Sequence, residues 1–392
     1  MSHNPPLNGT RVLDLSRFIA GPFCAMQLGD MGADVVKVEK RGSGDDTRLN
    51  HPQIAGESTY FMSFNRNKRS IELDFRSPAD QETLRQLAST ADILIENFRP
   101  GTLEKMGCGW DVLSAINPRL ILVRISGFGQ DGPFANRPCF DVIAQAMGGI
   151  MNLTGQPDGP PTMAGTFMID YSTALYATIG ALCALEARRQ TGKGQLVEAS
   201  LLETSASLLM SAIPDFKQLG LSMSRMGSRD RYTAPVNSFR CSDEEWIYLS
   251  AGTDSLFRRF AAIADLGYLL DDPRFATADA RLANQEAIEV IVQQWVGLHP
   301  SGTVVEAMEK AGVPCAKIAS IGEVTENPQL RHRRQIVDLE HPKVGIYTTH
   351  GVTITLHETP GRIARPAPLL GEHTDEVLKE WLSPCATARA PS

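Results

Sequence analysis

A carboxylate set against apolar surface is the side chain in this sequence with the clearest capacity for covalent chemistry. Asp170 closes the run Ala164-Gly-Thr-Phe-Met-Ile-Asp170 and directly precedes a long apolar stretch, Tyr171 to Glu186, that reads as a helix. Two roles fit that position. Asp170 could cap the helix by accepting N–H bonds from its first turn. It could also be a nucleophile, since partial desolvation raises the energy of the anion and the helix start holds it in place. Spacing alone does not separate the two.

A second constellation follows the short apolar runs of the N-terminal half. Ser16-Arg-Phe-Ile-Ala-Gly-Pro22 comes after the first run, Lys40 and Arg41 after the second and Arg76 after the third. Asn97-Phe98-Arg99 follows the fourth, with Lys105 a few residues on. Cations and an aromatic ring gathered in this way suit a phosphorylated ligand with an aromatic base. A rim of solvated surface charge would read the same.

Other chemistries find less support. Gly127-Phe-Gly-Gln-Asp-Gly132 matches GxGxxG, but Pro133 and Pro138 stand where a helix would have to open. A pyrophosphate needs that helix N-terminus, so the match reads as a loop. No P-loop, HExxH or GxSxG pattern is present. None of the eight histidines lies between His51 and His299, so a His-dependent triad would need one brought from elsewhere. No His/carboxylate spacing suits a metal.

The elements that must position these residues alternate. Strands are expected at Arg11–Leu15, Asp34–Glu39, Ser70–Phe75, Asp92–Glu96 and Leu120–Ile125, with helical segments between them. Ser77-Pro78 with Asp80 marks a helix start. Such alternation means a doubly wound parallel α/β sheet, where ligands bind outside the carboxyl ends of the strands. From Asp141 to Leu209 the chain is rich in small residues and reads as mostly helical. We expect a large Rossmann-like domain over 1–210, a linker at 211–232, a smaller α+β domain at 233–328, and a C-terminal segment, 329–392, returning to the large domain.

Composition narrows the class. The chain has 392 residues, 42% hydrophobic and 21% charged, with net charge −7. This is a globular composition, and the acidic balance argues against nucleic acid or an anionic membrane as partner. The seven scattered cysteines, with no CxxC, suit reduced thiols. Residues 1–8 lack a signal-peptide core, and the apolar stretch at 171–187 is too short to span, so a cytoplasmic protein is expected.

With these residues in view, the chain resembles the class III CoA-transferases, a superfamily that also holds the α-methylacyl-CoA racemases. The resemblance rests on Val12-Leu-Asp-Leu15 with Ala20-Gly-Pro22, Gly32-Ala-Asp-Val-Val-Lys-Val-Glu39, and Asn67-Lys-Arg-Ser-Ile-Glu-Leu-Asp74. It also rests on Glu96-Asn-Phe98 with Pro100-Gly101, Phe140-Asp-Val-Ile-Ala-Gln-Ala146, Gly192-Lys-Gly-Gln195 and Leu370-Gly-Glu-His-Thr374. It implies an interlocked homodimer, no metal and no bound prosthetic group, with coenzyme A and acyl-CoA as substrates. Asp170 falls at the family's nucleophile, which forms aspartyl anhydride and enzyme-CoA thioester intermediates. Asp141 falls at an acidic position near it.

By the same resemblance, Phe18, Ala20, Lys40, Arg76, Asn97, Phe98 and Lys105 correspond to CoA contacts. Ile19 replaces the Gln of oxalate-using members, which argues against oxalate as acceptor. Racemases carry a His before the acidic position, where this chain has Phe140, so two-base proton exchange loses a partner. Transfer is therefore expected over racemisation or CoA binding without turnover. Arg229 and Arg231 are candidates to hold the distal carboxylate of a dicarboxylic or hydroxy acid, with succinyl-CoA as candidate donor. A solvated basic loop is the alternative.

Overall fold

A computed structural model describes residues 4–383, and the chain divides into two compact units. Of the described residues, the first holds 4–151, 163–220 and 328–383, and the second holds 152–162 and 221–327.

The first unit opens with β1 (Arg11–Asp14), α1 (Ala20–Asp30), β2 (Asp34–Lys40), α2 (Thr59–Phe64) and β3 (Lys68–Leu73). Next come α3 (Pro78–Thr90), β4 (Ile93–Glu96), β5 (Ile121–Ser126) and α4 (Asp141–Met147). They are followed by α5 (Met168–Thr191), β6 (Leu196–Ser200), α6 (Leu201–Ser207) and α7 (Ala212–Leu219). The six strands form one sheet, β3-β2-β1-β4-β5-β6, parallel throughout. This is the doubly wound order, and its direction reverses between β1 and β4.

Every strand but β3 feeds two cores, because both faces of the sheet are covered. Val12, Ile93, Ile95, Ile121 and Val123 face α1 and α5, which meet them through small side chains such as Cys24, Ala25, Ala177 and Ala181. Leu13, Val36, Leu94 and Leu122 face the other way, onto Leu84 and Leu87 of α3 and onto Val377 and Trp381. Those last two belong to the closing helix Thr374–Trp381. It is tied down by Arg69, which pairs with Asp34, Glu376 and Glu380, and by the Trp381 indole N–H on Asp34 at 3.0 Å.

Three expectations change. Residues 196–200 form a sixth strand inside a stretch that reads as helical. It is only partly buried, so its alternation is weak. The expected 211–232 linker contains α7, stopped by Gly220 in the left-handed region, and only the residues from 221 onward group with the second unit. That helix buries none of its side chains within this chain; its apolar residues Ile213, Phe216 and Leu219 are all exposed. Residues 152–162, inside the expected large domain, also belong to the second unit.

The second unit is a three-stranded antiparallel sheet, Val236–Arg240, Trp246–Ser250 and Cys315–Lys317, packed with helices. Phe239, Phe257, Phe260, Ile288, Val292 and Met308 form its core. The buried Arg281 is fully met there, donating to the carbonyls of Ala234, Gly252 and Phe275 and to Asp254.

Candidate active site

The turn from β1 into α1 is built on buried charge. Asp14 accepts from the Ser16 N–H at 3.0 Å and from the Ser16 hydroxyl, and Lys68 Nζ reaches it at 2.7 Å. Lys68 also donates to the Pro22 carbonyl, at 2.8 Å, while Lys37 donates to the Ser16 carbonyl at 2.8 Å and pairs with Asp45 at 2.9 Å. Burial pushes the Asp14 carboxyl up, and Lys37 and Lys68 overcome it, leaving it below the ordinary range. A Cβ on Gly21 would lie 2.1 Å from Ser16 Cβ, so the helix can close on this turn only with glycine there. Phe18 sits in the turn at φ 65°, a left-handed conformation uncommon for a bulky residue.

Asn97, at the end of β4, clamps the same turn. Its Nδ2 donates to the Arg17 carbonyl at 2.7 Å, and its Oδ1 accepts the Arg17 N–H at 2.8 Å. The side chain expected to meet a ligand is therefore spent on the loop beside it. Arg17 lies over the Phe18 and Phe98 rings and pairs with Asp46 at 2.7 Å.

A cleft of about 330 Å³ opens beyond the ends of β1, β4 and β5. Phe18, Ile19, Ala20, Asn97, Phe98 and Asp170 all line it. An adjoining cavity of about 120 Å³ shares Arg17, Asp46 and Phe98 with it and adds Lys40. Arg76 and Lys105 are exposed and line neither cavity. Among the described residues, no ion pair holds Lys40, Arg76, Arg99 or Lys105. The GxGxxG segment is a loop. A Cβ on Gly127 would lie 2.2 Å from Cys139 Cβ, so this glycine serves a close approach and not a phosphate.

Asp170 does not cap its helix. α5 begins two residues earlier, at Met168, so Asp170 lies within the first turn. The capping carboxylate comes instead from Asp141, at the start of α4. Its Oδ2 accepts the N–H groups of Ile169, at 2.7 Å, and Asp170, at 2.9 Å, and its Oδ1 accepts Gln145 Nε2 at 2.5 Å. Asp141 is thus a buried, fully engaged support. Among the described residues no cation and no hydrogen-bond donor is paired with the Asp170 carboxylate. Burial pushes its pKa up, the Asp141 charge adds to this, and it stands at about 7.

Two neighbours escaped the sequence reading. Tyr60, on α2, is pushed up by burial first and by the Asp170 charge next, and its ring packs on Phe64, which meets Tyr171 beside Asp170. Cys139 lines the cleft and is raised to about 11, by burial first and the Asp170 charge next. Nothing in their local spacing joins them to Asp170; only the fold does.

Arg229 and Arg231 depart from expectation. Arg229 belongs to the second unit and already holds Glu289, at 2.7 Å, and Glu286, at 3.4 Å. Arg231 donates to the Ser224 carbonyl and reaches Met226 Sδ at 3.4 Å. Both are engaged within their own unit, which leaves them poorly suited to a substrate carboxylate.

The family model of CoA-transferase family III matches residues 7–374. The chain is 40% identical to the beta subunit of the succinyl-CoA–L-malate CoA-transferase of Chloroflexus aurantiacus, covering 97% of this chain and 95% of that one. It is 37% identical to the succinyl-CoA–D-citramalate CoA-transferase of the same organism, covering 96% and 94%. A crystal structure of a CAIB/BAIF family protein from Brucella suis superimposes with TM-score 0.87 at 35% identity, covering 97% of this chain and 100% of that one.

Proposed function

Because the chain belongs to CoA-transferase family III and so is a CoA-transferase, we propose that it moves CoA from succinyl-CoA to a small hydroxy dicarboxylic acid, with Asp170 as nucleophile. The observation that carries this reading is the unpaired Asp170 carboxylate lining a cleft at the point where the strand order reverses. The choice of acids rests on the relatives named for L-malate and D-citramalate.

In this reading the Asp170 carboxylate attacks the succinyl-CoA carbonyl, forming a mixed anhydride and releasing CoA thiolate. The thiolate attacks the aspartyl carbonyl, giving an Asp170-CoA thioester and free succinate. The acceptor carboxylate then attacks that thioester, and CoA thiolate leaves again. Finally the thiolate takes the acceptor's acyl group from the second anhydride and frees Asp170. Covalent capture splits one hard displacement into easier ones. No histidine lines the cleft, so the imidazole of a two-base α-proton exchange is absent from it.

The CoA phosphates are assigned to the cationic rim, with Arg99 lining the cleft and Lys40 the adjoining cavity, and the adenine to Phe98 and its neighbours. Arg76 and Lys105 contribute from further out. We also assign the outward apolar faces of α5 and α7, with Leu175, Ile179, Leu182, Ile213, Phe216 and Leu219 exposed, to a second copy of the chain.

The test is mass spectrometry in D2O, with succinyl-CoA offered to L-malate, citramalate and oxalate. Hydroxy-acyl-CoA without added deuterium is expected, with little oxalyl-CoA. Asp170→Ala should lower kcat by roughly a thousandfold or more and abolish the covalent CoA adduct. Retained turnover in that variant would overturn the mechanism.

A further inference from the structure

Gln145 lies on α4 one turn beyond Asp141, with no exposed surface. Both ends of its amide are used. Nε2 donates to Asp141 Oδ1 at 2.5 Å, and Oε1 accepts the Ala164 N–H at 2.9 Å. A neutral amide can donate to a carboxylate and accept from a backbone N–H at the same time. The bridge ties α4 to the segment that leads into α5. Through Asp141 it also reaches the first turn of that helix. The N–H groups at a helix start would otherwise solvate an anion placed there. Two of them are committed to Asp141, and none donates to the Asp170 carboxylate.

We propose that Gln145 is a positioning residue for CoA transfer: acting through Asp141, it fixes the first turn of α5 so that the Asp170 carboxylate stands at the cleft unsolvated by the backbone. This inference rests on the reading of Asp170 as nucleophile. A carboxylate held without donors is a stronger nucleophile than one wrapped in N–H bonds. The bridge also fixes where it points, and small displacements of a reacting group are costly.

The titratable groups facing Asp170 are Asp141 from α4, Cys139 from the segment before it, Tyr60 from α2, and Tyr171 on its own helix. Of these, Asp141 is the one Gln145 touches. Gln145→Glu therefore gives a readout that a packing role would not move. When protonated, the new carboxyl keeps one donor for Asp141 and one acceptor for Ala164. When ionised, it loses the donor and sets a like charge beside Asp141.

The experiment measures kcat and KM for succinyl-CoA from pH 6 to 8.5 in the wild type, Gln145→Glu and Gln145→Met, with CoA binding followed by calorimetry. Gln145→Met should lose about tenfold or more in kcat at every pH, with its CoA Kd within about threefold of wild type. The kcat of Gln145→Glu relative to wild type should fall about tenfold between pH 6 and 8.5. A flat ratio, or wild-type kcat in Gln145→Met, overturns the proposal. If Gln145→Met fails to fold and bind CoA, the Gln145→Glu ratio decides. Asp170→Ala run alongside separates the two readings. Activity retained there removes the nucleophile itself, whereas an inactive Asp170→Ala beside unaffected Gln145 variants removes only this inference.

Discussion

Asp170 carries its proton in the folded protein at pH values where an aspartate in water has lost it. Its ordinary value of 3.8 rises to about 7, through burial first and the Asp141 charge second. Two consequences follow from that sign. The attacking form is the anion, so the acid limb of kcat/KM should have its midpoint near pH 7. Asp141→Asn, which removes the like charge, should move that midpoint to lower pH. A pH profile whose limb lies near 4 in the wild type would contradict both. The second consequence concerns stability. The folded state binds a proton that the unfolded chain releases, so this group's contribution is fully present below about pH 4 and is lost as pH rises through 7. Asp170→Asn removes that penalty. Its Tm should exceed the wild type's at pH 8, and the gap should close by pH 4 in paired melts.

The turn between β1 and α1 shows how a short element makes a ligand wall. Asn97 contributes no free polar group to the cleft; it holds Arg17 through two backbone bonds. Asn97→Ala should therefore weaken CoA binding by roughly tenfold through a loosened loop, since each lost hydrogen bond is worth about 1 kcal/mol. Calorimetry would read this, and an unchanged Kd would show that the turn is held by its buried charges alone. The same turn marks the limit of what the sequence discloses. Short apolar and β-branched runs located five of the six parallel strands, because most of these strands are buried on both faces and Val, Ile and Leu recur there without alternation. Phe18, Ala20, Asn97 and Phe98 were legible as residues that follow strand ends in such a sheet; that Asp170, in the first turn of α5, lines the same cleft was not, because only the fold brings that turn there. Asp141 as the cap of α5 was not, because its partners lie 28 and 29 residues away. The motif Asn67-Lys-Arg was visible as a pattern, but its work is structural. Lys68 holds Asp14, and Arg69 holds Asp34 and the closing helix. β6 escaped detection because a partly exposed strand leaves little alternation, and α7 because it is only eight residues long with Pro214 in its first turn, which reads as a break.

For the whole molecule, the outward faces of α5 and α7 are more apolar than a solvated surface needs to be. By length and composition α5 could cross a membrane, yet its inward face packs on α1. Sedimentation velocity should give twice the chain mass, and Ile179→Asp combined with Phe216→Asp should shift it toward the monomer. A wild-type monomer at micromolar concentration would refute the assigned interface. The rim cations have a different bearing on the molecule. Lys40, Arg76, Arg99 and Lys105 are exposed and, among the described residues, hold no carboxylate of their own, in a chain whose net charge is negative. A polyanion approaching the cleft thus meets a local positive field on an otherwise acidic body, and mobile ions screen that field over about 8 Å at physiological ionic strength. Encounter with CoA esters should be electrostatically steered. Raising sodium chloride from 20 to 300 mM should slow kon by roughly tenfold while leaving the first-order chemical steps unchanged in single-turnover traces. A salt-insensitive kon would mean that the rim plays no part in capture.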